Sequence, residues 1–279
     1  MHELTLTRMF QRSVREFGPK AAMKHKRDGV WHTITYDGYA RYVQDFANGL
    51  MALGVSPGDR IAIWAGNRPE WSITDFACLH AAAVDAPIYP TLLEDQVEYI
   101  LNDCKARVLV VDTAERLAKA CGMLGRVPSL QHIVSMDPVP AEYRGKAEVL
   151  GFDDVYARGR AFGEERPDEF SRRSQAVAPE ALATLIYTSG TTGKPKGVML
   201  THLNLTSNAE AACAELQVTE KDTHLSFLPL CHSYERLAGH YVMVLRGATV
   251  AFAESIEKVL QNIKAVSYTH LTLPTNREV

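Results

Sequence analysis

Ala183-Thr184-Leu185-Ile186-Tyr187 runs straight into Thr188-Ser189-Gly190-Thr191-Thr192-Gly193-Lys194-Pro195-Lys196-Gly197, and Val198-Met199-Leu200-Thr201 leaves it. The flanks read as short apolar strands and the middle as a loop. Thr188–Gly197 holds three glycines, four hydroxyls and two lysines. Glycines let successive backbone N–H groups turn into one concavity. Hydroxyls add donors for phosphate oxygens, and lysines add point charge against a polyphosphate. The plain alternative is a polar β-hairpin turn with surface lysines, but hairpin turns usually need only two residues. The segment therefore reads as a phosphate-gripping loop.

Its spacing is not that of the common P-loop: counting from Gly190, that motif needs a glycine where Pro195 stands. No G-x-G-x-x-G follows any strand either, so a dinucleotide-binding Rossmann unit is not supported. ATP is the expected ligand of the loop.

Outward from the loop, amphipathic helices alternate with wholly apolar strands. Helices are expected at Thr5–Phe17, Tyr36–Leu53, Asn67–Ala83, Glu94–Leu101, Asn204–Glu215, Tyr234–Leu245 and Ser255–Lys264. Strands are expected at Ile61–Ala65, Val108–Val111, His132–Ser135, Ala183–Tyr187, Val198–Thr201, His224–Leu228 and Ala248–Phe252, with Pro87–Pro90 extended. This rhythm predicts an α/β fold of layered, largely parallel sheets with helices on both faces. Pro138–Pro179 is polar and shows little periodicity, and reads as a surface excursion between two subdomains.

The chain has 279 residues, enough for a sizeable core, and a formal net charge of −3 with both signs interspersed. No basic run points to nucleic acid. The five cysteines are odd in number and none lie in C-x-x-C spacing, which argues against a disulfide framework and for a reducing compartment. No apolar stretch reaches the roughly 18 residues of a membrane span, and the start does not resemble a signal peptide. The cytoplasm is the expected location. Oligomeric state leaves no mark in the sequence.

The loop, with Tyr187 before it and Val198-Met199-Leu200-Thr201-His202 after it, resembles the signature of the AMP-forming acyl-activating superfamily. Thr35-Tyr36, Leu53-Gly54-Val55, Gly58-Asp59-Arg60, Asn67-Arg68-Pro69-Glu70-Trp71 and Pro87-Ile88-Tyr89-Pro90-Thr91 resemble its N-terminal landmarks. They read as fold landmarks, with Asp59, Arg60 and Glu70 as turn and cap residues. Leu228-Pro229-Leu230-Cys231-His232-Ser233-Tyr234-Glu235-Arg236 is similar to the motif that lines the acyl tunnel. Glu235-Arg236 and Ala251–Glu257 look most like the long-chain fatty-acid–CoA ligase branch.

The resemblance implies that Thr188, Ser189, Gly190, Thr191, Thr192, Gly193, Lys194, Lys196 and Gly197 bind the phosphates of Mg-ATP and the departing pyrophosphate. Thr191 and Lys196 are the expected catalytic groups. His232 is expected between the carboxylate site and the thiol channel, the plain alternative being a buried helix-cap histidine. Cys231, His232 and His240 lack a fourth ligand of sensible spacing, so no protein metal site is expected.

The implied reaction activates a long-chain fatty acid to an acyl-adenylate and then to acyl-CoA, with ATP, Mg²⁺ and CoA taking part. The implied architecture is a partial adenylation N-terminal domain over residues 1–266, without the family's small C-terminal domain. Ser267–Val279 departs from the family pattern and is expected to be a non-native tail, and the chain alone is expected to be inactive. The resemblance leaves room for peripheral membrane contact. Two other readings stay open: a fatty acyl-AMP ligase, or a non-catalytic nucleotide- or lipid-binding fragment.

Overall fold

The computed structural model describes residues 5–146, 148–188 and 194–266. The chain opens with α1 (Leu6–Phe17), the hairpin β1 (Ala21–Arg27) and β2 (Val30–Thr35), and α2 (Tyr36–Ala52). An alternating series follows: β3 (Arg60–Trp64), α3 (Pro69–His80), β4 (Val84–Ile88), α4 (Glu94–Cys104), β5 (Ala106–Val111), α5 (Ala114–Met123) and β6 (His132–Ser135). Next come β7 (Val149–Gly151), α6 (Phe152–Glu165), α7 (Glu169–Gln175), β8 (Leu182–Thr188), β9 (Lys196–Thr201), α8 (His202–Leu216) and β10 (Thr223–Ser226). A π-helix over Glu235–Tyr241 then runs into α9 (Val242–Arg246), β11 (Thr249–Phe252) and α10 (Val259–Val266).

Two sheets form. The larger has seven strands in the order β7-β6-β5-β3-β4-β8-β9, parallel except for the antiparallel pair β8–β9. The smaller has four in the order β10-β11-β1-β2, with β1–β2 antiparallel. Strand geometry explains the burial. Side chains alternate across a strand, so Ile61 and Ile63 of β3 face a core shared with α1, α2 and α3, while Ala62 and Trp64 face α4 and α5. In β5, Val108 and Val110 go one way and Leu109 and Val111 the other. Covering both faces is what makes these strands uniformly apolar.

Helix starts follow side-chain caps. Thr5 accepts from the Arg8 amide, and Thr35 accepts from the Gly38 amide at 3.1 Å. Pro69 opens α3, where a missing N–H costs nothing.

The segment 138–179 differs from the expected surface excursion. It supplies the edge strand β7 and two helices, and α6 packs tightly on α2. A Cβ added at Gly159 would lie 1.7 Å from the Asp45 carbonyl oxygen, and one at Gly49 would lie 2.3 Å from that of Val155. The reciprocal glycines let the two helix backbones touch. The hairpin β1–β2 and helix α5 were also not foreseen. The expected helix Tyr234–Leu245 is present, but its first half is wound as a π-helix.

Candidate active site

The two strands that flank the loop pair as an antiparallel hairpin. Thr188 ends β8 and pairs across the ladder with Lys196 of β9, so 189–195 is a hairpin connection of unusual length. Ser189, Gly190, Thr191, Thr192 and Gly193 lie outside the described residues. Thr188, Lys194 and Lys196 are exposed. Among the described residues neither Lys194 nor Lys196 makes an ion pair, which leaves both charges available to an anion. Gly197 lies against Tyr187: a Cβ there would stand 3.1 Å from that ring.

A cleft of about 450 Å³ opens beside the hairpin. Tyr89, Thr91 and Leu92 after β4, Gln96 and Ile100 of α4, and Ile186, Tyr187, Thr188 and Pro195 of the hairpin line it, together with His232 and Ser233. Two elements singled out from sequence, the loop and the His232 segment, thus meet at one hollow.

His232 is exposed, not a buried cap. Its Nδ1 accepts from the Tyr234 amide at 3.2 Å, which places the neutral ring's proton on Nε2. Its ring stands edge-on to Tyr89, 6.3 Å between centroids. The segment before it is pinned by Asn67, whose Nδ2 donates to Leu228 O at 2.6 Å and Ser226 Oγ at 3.0 Å and whose Oδ1 accepts from the Leu230 amide at 2.9 Å. Asn67 therefore ties the larger sheet to the loop after β10. Asp59 takes the Ser56 amide at 2.9 Å in a turn, and Glu70 sits in the first turn of α3 against Arg68, so both fulfil structural roles.

Glu235 and Arg236, read from sequence as a branch signature, are wholly buried. Arg236 Nη1 donates to Thr184 Oγ1 of β8 at 2.8 Å, and its Nη2 donates to both Asp75 of α3 and Asp85 of β4. Tyr241 donates to Asp75 at 3.2 Å. Glu235 accepts from Ser226 Oγ at 2.8 Å and lies 2.9 Å from His224 Nε2. Burial pushes the Asp85 carboxyl well above the usual range, against the pull of Arg236. The π-helix thereby locks the chain after His232 to the strand that leads into the hairpin loop. Sequence reasoning missed this lock, and also Tyr89 and α4 as cleft walls; the one signal for Tyr89 was its place in the Pro87–Thr91 landmark.

A larger hollow of about 980 Å³ lies elsewhere, near β1, Arg68–Glu70 and the start of α6. It includes no sequence-predicted site residue, and Arg68 within it is satisfied by Glu70 and Asp137 at 2.9 and 2.8 Å.

Comparison with known proteins bears on the fold and the family. The family model described as AMP-binding enzyme matches residues 10–276, past the point at Val266 where the family pattern was expected to stop. Fatty acyl-CoA synthetase A of Dictyostelium discoideum is 32% identical over 257 residues, covering 91% of this chain and 38% of that protein. The long-chain-fatty-acid–CoA ligase FadD15 of Mycobacterium tuberculosis is 34% identical over 238 residues, 84% of this chain and 37% of the relative. Among solved structures, a long-chain-fatty-acid–CoA ligase from Archaeoglobus fulgidus superposes with a TM-score of 0.80 at 23% identity, over 96% of this chain and 51% of that one. An anthranilate–CoA ligase in complex with anthranoyl-AMP gives 0.82 at 23%, over 97% and 49%. The chain thus spans less than two fifths of the length of these curated relatives. With the family model matching nearly the whole chain and relatives above 30% identity, the chain belongs to the AMP-binding enzyme family.

Proposed function

We propose that this chain is the nucleotide-gripping part of a ligase that activates long-chain fatty acids through an acyl-adenylate and passes them to CoA. The observation that carries the reading is the shared cleft: Thr188 and Pro195 of the hairpin and His232 line one hollow. The names of the relatives above support the choice of acid and acceptor.

In the first step a carboxylate oxygen attacks the α-phosphorus of ATP. The bond from that phosphorus to the bridging oxygen breaks, and pyrophosphate leaves. In the second step the CoA sulfur attacks the acyl carbon, the bond to the AMP oxygen breaks, and the thiol proton goes to solvent. Phosphoryl-type transfer depends on positioning and charge neutralisation. Lys194 and Lys196, free of ion pairs among the described residues, supply the positive charge for the departing pyrophosphate, and Thr188 supplies a hydroxyl donor. His232 offers Nε2–H as a donor to the fatty carboxylate, orienting it without neutralising its nucleophilic oxygen. No carboxylate lines the cleft among the described residues, so they do not fit a magnesium ion.

Hydroxylamine trapping tests the reading. With ATP and a long-chain fatty acid, a chain extended to the full length of its relatives is expected to yield the fatty hydroxamate, and yield is expected to fall on Lys196→Ala. Hydroxamate without ATP, or none at all, sinks the proposal. ATP binding without hydroxamate would instead favour the non-catalytic reading, and hydroxamate without CoA-ester formation the fatty acyl-AMP ligase.

A further inference from the structure

The strand that enters the 188–197 loop and Lys194 near the loop's end both meet the same face of one helix. On the entering side, the Tyr187 hydroxyl donates to Asp103 Oδ2 of α4 at 2.6 Å. On the leaving side, Lys194 Nζ sits 5.4 Å from the centre of the Tyr99 ring, within the range of a cation–π contact. Tyr99 and Asp103 are four residues apart, so they stand one above the other on α4. Tyr187 is itself nearly buried, and its ring is backed by Gly197 from the second stem. Burial and the hydrogen bond to Asp103 both push its hydroxyl up, which keeps it a donor. The same helix presents Gln96 and Ile100 to the cleft.

We propose that Tyr99 and Asp103 of α4 are positioning residues that set the placement of the phosphate loop by holding its entering strand at Tyr187 and its far end at Lys194. Neither lines the cleft, and neither belongs to the loop. The geometry stands by itself; its consequence for nucleotide affinity rests on the proposed function. Asp103 fixes where β8 ends and the loop begins. Tyr99 holds Lys194 with a ring rather than a carboxylate, so the ammonium stays at the loop without being neutralised. A phosphate can then draw Lys194 away at small cost, because an exposed cation–π contact is weak.

The test uses five variants of this chain: Tyr187→Phe, Asp103→Ala, Asp103→Asn, Tyr99→Leu and Tyr99→Phe. Amide hydrogen exchange over 182–201 is followed without nucleotide, and ATP affinity is titrated in parallel. Tyr187→Phe and Asp103→Ala are expected to speed exchange about tenfold, since each removes a hydrogen bond to a charged group. Asp103→Asn still accepts the hydroxyl proton and is expected to stay within about twofold of the parent. Tyr99→Phe keeps the ring face and is expected to match the parent, while Tyr99→Leu speeds exchange on the Lys194 side only. ATP affinity is expected to fall in the same order. Unchanged exchange in Tyr187→Phe and Asp103→Ala overturns the proposal, as does an Asp103→Asn indistinguishable from Asp103→Ala. Altered exchange with ATP affinity equal in all six proteins also overturns it. If exchange follows the expected order but the parent binds no ATP, the positioning role stands and the nucleotide reading falls.

Discussion

Replacing Arg236 by methionine removes a guanidinium but keeps most of the apolar stem. Arg236 is 1% exposed, and its two carboxylate partners, Asp75 and Asp85, are fully buried. Without it, two carboxyl groups that shared one nitrogen donor face each other with no cation between them. Oxygens bonded to a common donor lie within about 6 Å of each other. At an effective dielectric of about 20, two unit charges at that range would repel by about 3 kcal/mol, an upper bound because Asp85 can keep its proton instead. Breaking one partner out of a buried ion cluster costs about 3–5 kcal/mol in general, so the two estimates agree. Against a total stability of roughly 5–15 kcal/mol for a domain, that is a large share.

The loss is expected to depend on pH. Asp85 already has its folded-state pKa raised by burial, and losing Arg236 raises it further. A carboxyl raised on folding costs stability progressively as pH rises above its unfolded pKa of about 3.9, until its folded pKa is reached. The stability deficit of Arg236→Met is therefore expected to be at least as large at about pH 8 as at about pH 5. Adding Asp85→Asn is expected to restore part of the loss, because the remaining carboxyl then has a neutral neighbour. Urea denaturation followed by far-UV circular dichroism reads all three proteins at both pH values. An Arg236→Met protein within about 0.5 kcal/mol of the parent would refute this view of the cluster, since that is the scale of an ordinary surface substitution. A deficit that grows as pH falls would refute it equally.

Gly159→Ala forces a Cβ to 1.7 Å from the Asp45 carbonyl oxygen, a backbone atom that no rotamer change can move; a loss of about 1–3 kcal/mol or more is expected in the same denaturation assay, and a neutral result would contradict the α2–α6 contact. Lys196→Ala is expected to lower fatty-acid-dependent ATP–pyrophosphate exchange by about tenfold or more in a chain of full family length, against unchanged exchange if the lysine is only a surface charge. His232→Ala is expected to raise the fatty-acid KM more than the ATP KM, by about tenfold for a lost hydrogen bond to a carboxylate; the reverse split would move His232 to the nucleotide side. Burial lowers His80 to about 3, His202 to about 4 and His240 to about 3. These rings fold neutral, so stability is expected to hold above about pH 6.5 and to fall below it by about 1.4 kcal/mol per pH unit per histidine until the folded pKa values are reached; a flat stability profile between about pH 6.5 and 4.5 would contradict their burial in the neutral form.

What could be read from sequence follows from what each signal measures. Uniformly apolar strands such as Val108–Val111 and helices with a clean apolar stripe such as α2 were placed to within a few residues, because both faces or one face of the element must be buried. Helix α6 was lost in the supposed excursion. Its buried face, Phe152, Val155, Tyr156 and Gly159, does follow helical spacing. One of those four is a glycine used for close approach, and Asp, Arg and Glu crowd the other side, so the apolar signal is diluted. The hairpin β1–β2 is hidden for a different reason: β1 carries Lys24, His25, Lys26 and Arg27, and no residue of β2 is buried, so neither shows a long apolar run.

For the site, the loop stands out in sequence because glycines, hydroxyls and lysines in one short stretch have few other uses. Its context was only half legible. That β8 and β9 pair as a hairpin is a matter of register between strands, which composition does not record. Arg236 illustrates the limit most clearly. In sequence it is one charged residue after Glu235. In space it draws its meaning from Asp75, Asp85 and Thr184, which lie 161, 151 and 52 positions away. The anchoring of Tyr187 on Asp103, 84 positions away, is of the same kind.

The most direct measurement is a calorimetric titration of this chain with ATP, repeated with saturating pyrophosphate and with Lys196→Ala. If the hairpin loop grips a polyphosphate, ATP binds the parent, pyrophosphate competes it away, and Lys196→Ala weakens both by about tenfold or more. ATP binding that survives saturating pyrophosphate and the loss of Lys196, or no binding of either ligand, would contradict the role assigned to the loop.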